Sequence, residues 1–211
     1  MNEREPYHQV TEKLYRIMMD KFTNREPPKN VWFTDTVFCG RKKIFRILTG
    51  DEYLNSRDIN NIWLGIIVGD ALKELGIASE VPVVYRSMHG RIDILLDTGE
   101  PLEIKTASNL YIPASEYAKV HVEQLSRYCL ALGRESGVIF YYIPRLSLDK
   151  LPAYRYRFNL DEVRRETDYR LDIMERAFKT LDPFTIPPTW HSTSPDNWEC
   201  KKCVFSRVCW K

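Results

Sequence analysis

Cys39 stands alone in the amino-terminal part of the chain, and Cys200, Cys203 and Cys209 follow near the other end in the pattern C-x2-C-x5-C. C-x2-C is a common bidentate pair for a soft metal, and a further thiolate six residues on makes three ligands. The fourth must come from elsewhere. Cys129 lies on an apolar helical stripe and reads as core, which leaves Cys39. A metal shared by these four would join both ends of a 211-residue chain and exclude any topology that holds them apart. Four thiolates suit zinc and an iron–sulfur cluster alike, and spacing alone favours zinc, the commoner structural metal. No run of 18 apolar residues is present, and Met1 to Pro6 is charged without an apolar stretch behind it. The expectation is a cytoplasmic protein with neither membrane span nor signal peptide, whose reduced cysteines are metal ligands rather than disulfides.

A hydrophobic fraction of 44% supports a single core, and a formal charge of +2 neither demands nor excludes nucleic acid. Helical periodicity runs over 8–22 and 59–75, with polar, Pro-rich residues 24–30 between. Short β-type runs follow at 80–87, 90–97 and 101–106, then a helix over 114–132, strands at 137–143 and 153–158, and a helix over 161–181 capped by Asn159. The order α, βββ, α, β, β, α predicts an α/β fold with a mixed central sheet flanked by helices. Residues 1–211 are expected to form one domain: a helical part with Cys39 over 1–75, a core over 76–182 and a cysteine-bearing tail over 183–211.

The chemistry sits on the second and third strands. Ile92, Ile94 and Leu96 share a face, which sets Asp93 on the other, and Leu102 with Ile104 sets Glu103 and Lys105 opposite. A two-residue turn would bring Asp93 across from Ile104, on the wrong face. A three-residue Asp97-Thr98-Gly99 loop, with Gly99 at positive φ, pairs Asp93 with Glu103 instead. Two carboxylates about 5 Å apart call for a cation, and Mg²⁺ or Mn²⁺ suits their hard oxygens. Such an ion polarises a phosphodiester and acidifies a bound water, and Lys105 is placed to stabilise developing negative charge. On the following helix Ala118, Val122, Leu125, Cys129 and Leu132 form the apolar stripe, and His121, Gln124 and Tyr128 the stripe beside it. Gln124 and Tyr128 join Asp93, Glu103 and Lys105 as candidate catalytic residues, and Glu80 is a candidate further oxygen ligand. Trp32, Tyr53, Tyr111 and Trp210 are candidate stacking platforms for nucleobases.

Taken together, these residues resemble the Cas-four family, CRISPR-associated members of the RecB-like PD-(D/E)XK nucleases. The resemblance rests on Cys39-Gly40-Arg41, Glu80, Gly90-Arg91-Ile92-Asp93, Glu103-Ile104-Lys105-Thr106, Gln124 to Tyr128 and the closing cysteines, six motifs in order. It implies a restriction-endonuclease-like fold and an iron–sulfur cluster, 4Fe–4S ahead of 2Fe–2S, on Cys39, Cys200, Cys203 and Cys209. It also implies Mg²⁺- or Mn²⁺-dependent cleavage of single-stranded DNA, exonucleolytic, endonucleolytic or both. DNA-end processing in CRISPR spacer acquisition, an antiviral defence, would make CRISPR integration proteins partners. The chain departs from the family at G-x-x-x-H, where Gly65 is followed by Gly69 in place of the metal-binding histidine, with Asp70 beside it. Either Asp70 supplies the missing ligand or Asp93, Glu103 and the Ile104 carbonyl hold the ion with waters. The alternative function is a non-catalytic DNA-binding or assembly subunit.

Overall fold

The β-rich middle of the chain folds as a hairpin ladder because its apolar residues alternate and its turns carry the required backbone. The computed structural model describes residues 30–50, 56–107, 116–191, 194–201 and 203–210. The helix expected over 8–22 lies outside the described residues, as do Tyr53 and Tyr111. Strands are β1 (Val31–Trp32), β2 (Ala78–Tyr85), β3 (Met88–Leu95), β4 (Pro101–Thr106), β5 (Ser136–Tyr142) and β6 (Ala153–Arg157). Helices are α1 (Gly40–Thr49), α2 (Ser56–Ala71), α3 (Glu116–Leu132), α4 (Leu160–Thr180) and the short α5 (Trp198–Lys201) and α6 (Ser206–Cys209).

The sheet order is β1-β3-β4-β5-β6, with β2 on β3. β2/β3, β3/β4 and β5/β6 are antiparallel, whereas β1/β3 and β4/β5 are parallel. Parallel neighbours need a crossover, and α3 is that crossover between β4 and β5. The mixed α/β architecture is therefore the one expected from the order of elements.

Two hairpins set the register near the site. Between β3 and β4, Ile94 faces Leu102 and Leu95 faces Pro101. The Leu96 N–H donates to the Glu100 carbonyl at 3.0 Å and the Gly99 N–H to the Leu96 carbonyl at 2.9 Å. Gly99 has φ +75°, the left-handed backbone that a three-residue loop demands. Between β2 and β3 the loop is Arg86-Ser87, which joins the paired Tyr85 and Met88. Arg86 takes φ 52°, a conformation unusual for a side-chain-bearing residue, and its guanidinium reaches Asp168 at 3.1 Å and Asp172 at 2.8 Å on α4. With no Gly or Asn to signal the turn, the strand expected to run to 87 ends at Tyr85, and the next, expected from 90, starts at Met88.

The helix expected to run unbroken over 59–75 instead ends at Ala71, and a 3₁₀ turn at Lys73–Leu75 follows. The Leu72 N–H is shared between the Val68 and Gly69 carbonyls at 3.1 and 3.2 Å, the tightening that satisfies end groups where a helix stops. β1 was too short for any periodicity to reveal.

One core packs Phe33, Ile44, Met88, Ile92, Tyr128, Leu171 and Met174 between α1, β3, α3 and α4. A second packs Leu125, Cys129, Ile139, Tyr141 and Ile143 between α3 and β5, so Cys129 is the core residue its stripe indicated. The Asn159 carboxamide oxygen accepts from the Asp161 and Glu162 N–H groups at 3.1 and 3.4 Å, the expected cap of α4. Among the described residues no helix is long and apolar enough to cross a membrane.

Candidate active site

Asp93 is the first fixed point. Extending the β3/β4 register by one pair beyond Ile94 and Leu102 sets Asp93 opposite Glu103. The Ile104 N–H donates to Asp93 Oδ2 at 2.7 Å, which orients the carboxylate toward β4. Burial raises the Asp93 pKa above its ordinary value against the lowering effect of that hydrogen bond and of Lys105, and the charge of Glu80 adds to the rise.

Glu103 is only 3% exposed. Its Oε1 lies 2.5 Å from Lys105 Nζ, and its Oε2 is buried without a hydrogen-bond partner. Burial lifts its pKa to about 7, with Asp93 and Glu80 adding to the rise and Lys105 opposing it. An orphaned buried carboxylate oxygen is costly unless something satisfies it, and a hard cation has the chemistry to do so. The donor set of Asp93 and Glu103 therefore fits Mg²⁺ or Mn²⁺.

α3 holds Lys105 in place. Lys105 Nζ donates to Gln124 Oε1 at 2.9 Å, and Gln124 Nε2 donates to the Tyr128 hydroxyl at 3.0 Å. This chain leaves the Lys105 ammonium between a carboxylate and an amide, held rather than free to sweep. Tyr128 reaches the site because Gly90 is bare; a Cβ there would lie 2.2 Å from the Phe33 ring and 2.9 Å from the Tyr128 ring. Burial, then the charge of Glu103, pushes the Tyr128 hydroxyl pKa up, so it stays protonated. His121, one turn before Gln124, is buried and hydrogen-bonded to the Tyr141 hydroxyl at 3.1 Å. Burial and the nearby Lys105 push its pKa down to about 3, so its imidazole is neutral.

A cleft of about 310 Å³ opens over these groups, lined by Gly65, Gly69, Asp70, Lys73, Glu80, Asp93, Glu103, Ile104 and Lys105 among others. Gly69 does face the cleft, and a Cβ on it meets nothing within 4 Å. Asp70, offered by the sequence in the place of the missing histidine, is instead 2.6 Å from Lys73 one turn later. Its side chain is 62% exposed, because the (i, i+3) lysine captures it at the helix surface. Glu80 is ion-paired to Arg91 at 2.8 Å, a pairing the sequence reading missed. Among the described residues no three His, Cys, Asp or Glu side chains are grouped as a ready-made metal site.

The cysteines of the two chain ends come into one neighbourhood, but among the described residues they are not grouped as a ready-made metal site either. The charges of Cys203, Cys209 and Glu199 act on Cys39, whose pKa burial lifts to about 12. The Cys39 thiol donates to the Pro188 carbonyl at 3.0 Å. Burial also raises the Cys200 pKa, opposed by the Trp210 indole N–H, which lies 3.4 Å from its Sγ. Trp210 thus serves the cysteines rather than standing free as a stacking platform, and the Trp32 indole nitrogen is buried without a partner. Arg41, read with the basic residues after Cys39, points inward. It donates to the Ile186 carbonyl at 2.6 Å and the Cys209 carbonyl at 2.7 Å, with its Nη1 3.5 Å from Cys209 Sγ.

No family model matches the chain, and no curated protein matches it by sequence. Solved structures do match in shape. The protein SSO0001 superposes with a TM-score of 0.63 over 95% of this chain and 96% of its own, at 19% identity. LHK-Exo, solved in complex with dAMP, superposes with a TM-score of 0.52 over 77% of this chain and 95% of its own, at 17% identity. An alkaline exonuclease structure from Laribacter hongkongensis, also LHK-Exo, gives 0.51 over the same shares at 16% identity. The fold is restriction-endonuclease-like. Asp93, Glu103 and Lys105 line one cleft, and Gln124 and Tyr128 are tied to it through the hydrogen bonds that run from Lys105 to Gln124 and on to Tyr128.

Proposed function

We propose that this chain is a divalent-metal-dependent deoxyribonuclease acting on single-stranded DNA ends. The observation that carries the reading is Glu103 Oε2, a buried, unpartnered carboxylate oxygen beside Asp93 and Lys105 in one cleft. Its support from comparison is the fold shared with an alkaline exonuclease. Asp93, Glu103 and the Ile104 carbonyl are the groups that would hold Mg²⁺ or Mn²⁺. Such an ion supplies Lewis-acid polarisation of the phosphate and a water of lowered pKa. Lys105, fixed by Gln124, presents an ammonium to the charge that develops on the phosphate oxygens. Tyr128 orients Gln124 and, being protonated, adds no charge. The neutral His121 leaves the positive charge of Lys105 undiluted.

The placing in CRISPR spacer acquisition, with integration proteins as partners, rests on the ordered motifs of the sequence. So does the iron–sulfur cluster. Cys39, Cys200, Cys203 and Cys209 would hold it, and the support for a common neighbourhood is that the charges of Cys203 and Cys209 act on both Cys39 and Cys200. A non-catalytic DNA-binding or assembly role is favoured by one observation: Gly69 stands where a ligand is expected, and Asp70 is paired away from the site. Incubation of labelled single strands with Mn²⁺ separates the two readings. Wild type is expected to cleave, and Asp93→Asn and Lys105→Ala to lose at least about a hundredfold in rate, as a removed transition-state donor costs. Strand binding without cleavage by wild type would establish the assembly role instead.

A further inference from the structure

Glu80 combines three observations that the nuclease reading leaves unused. Ser79 pairs with Ile94 and Val81 with Ile92, so Glu80 stands opposite Asp93 across the β2/β3 ladder. It takes φ 54°, within a strand, where a non-glycine residue is strained and strain of this kind gathers at functional positions. Its carboxylate lines the same cleft as Asp93 and Glu103, and its charge acts on both.

Each carboxylate at the cleft has a separate internal partner. Asp93 accepts from the Ile104 N–H, Glu103 from Lys105 and Glu80 from Arg91. The first two partners are bound into the sheet and the Gln124 chain. The Glu80–Arg91 pair is half-exposed, at 51% and 58% for the two side chains, and an exposed pair is weak enough to exchange. Asp70 pairs with Lys73 at the helix surface, whereas Glu80 stands across the ladder from Asp93 and its charge acts on both Asp93 and Glu103, so Glu80 is the acidic group placed to join Asp93 and the orphaned oxygen of Glu103.

We infer that Glu80 is the third carboxylate of the cation site and that Arg91 is its placeholder. Without an ion, Arg91 neutralises Glu80. Binding of the ion draws Glu80 inward and releases the Arg91 guanidinium at the rim of the cleft, where a backbone phosphate of the substrate strand takes its charge. Ion binding and strand binding are thereby coupled through one exchange of partners. This deepens the nuclease reading of the cleft and rests on it.

The test is titration of the DNA-free protein with Mn²⁺, followed by calorimetry or by the electron paramagnetic resonance of the free ion. Glu80→Gln is expected to weaken Mn²⁺ binding by about tenfold or more, at least what loss of an outer-sphere partner costs. Arg91→Gln is expected to tighten Mn²⁺ binding by roughly two- to fivefold, because the competitor for Glu80 is gone. With Ca²⁺ in place of Mn²⁺, Arg91→Gln should weaken binding of a labelled single strand and lower its salt slope by about one phosphate. Both side chains are half-exposed, and circular dichroism checks that the variants are folded. Unchanged Mn²⁺ affinity in Glu80→Gln, or weaker Mn²⁺ binding in Arg91→Gln, overturns the inference. If Asp93→Asn abolishes Mn²⁺ binding while Glu80→Gln leaves it unchanged, only this inference falls. If Asp93→Asn also binds Mn²⁺ as wild type does, the nuclease reading of the cleft falls with it.

Discussion

At Glu103, stability and chemistry pull in opposite directions. Burial raises its pKa from 4.5 to about 7, so the fold favours the protonated acid over the carboxylate. A group raised in this way contributes stability that is fully present below its unfolded pKa and is lost as pH rises through the folded value. In metal-free buffer the unfolding free energy should therefore fall between about pH 4.5 and 7, by up to about 3 kcal/mol from this residue. Glu103→Gln should remove that component and unfold at higher urea than wild type at pH 7.5, while losing cleavage. Equal pH slopes in the two proteins would show that Glu103 is not the titrating group. Glu80 carries a similar conflict in its backbone. Glu80→Gly relieves the positive φ and should raise metal-free stability by about 1 kcal/mol in a thermal melt, yet weaken Mn²⁺ binding as Glu80→Gln does.

α3 turns Gln124 toward Lys105 and Tyr128 toward Gln124, and holds the fold together with neighbouring residues. Arg127 is buried, donates to Thr36 Oγ1 at 3.0 Å and lies 3.6 Å from Glu123. Arg170 of α4 reaches the same Glu123 oxygen at 2.9 Å, and His191 approaches the other at 3.4 Å. Burial, then the neighbouring Arg170, pushes the Arg127 pKa down to about 10. Glu123, itself half-buried, thus offsets two buried guanidiniums, and Glu123→Ala should cost on the order of 3 kcal/mol. The check is a lower urea midpoint with Mn²⁺ affinity intact. Helical spacing could place Gln124 and Tyr128 on one stripe and Leu125 and Cys129 on another, because 3.6-residue periodicity decides faces. Strand alternation with the Gly99 turn could likewise place Asp93 opposite Glu103. Neither period reveals partners drawn from distant elements. Arg127 with Thr36, Arg41 with Ile186 and Cys209, and Glu80 with Arg91 all depend on how elements stack or on a hairpin whose turn residue, Arg86, carries no turn signature. Asp70, which the sequence leaves open as a ligand, is paired by a local lysine, Lys73, one turn on.

Across the whole molecule, the tail carrying Cys200, Cys203 and Cys209 is fastened to α1 largely through Arg41. The guanidinium also lies over the Phe184 ring at 5.2 Å, and Phe45 stacks on Phe205 at 5.1 Å. The Cys39 N–H donates to Glu199 at 3.0 Å, and Glu199 in turn accepts from Thr189 at 2.9 Å. Arg41→Met should loosen this pole while sparing the sheet. Limited proteolysis is expected to cut faster within 183–209 and to leave a protected fragment spanning β2 to α4; uniform digestion would mean that the clasp supports the whole fold. The same clasp imposes an order on biosynthesis. Cys209 is 168 positions beyond Arg41, which at 5–20 residues per second is roughly ten to thirty seconds of elongation. Through that interval the newborn α1 carries a cation whose Cys209 acceptor has not yet been made, so the sheet can set before Arg41 closes on the tail.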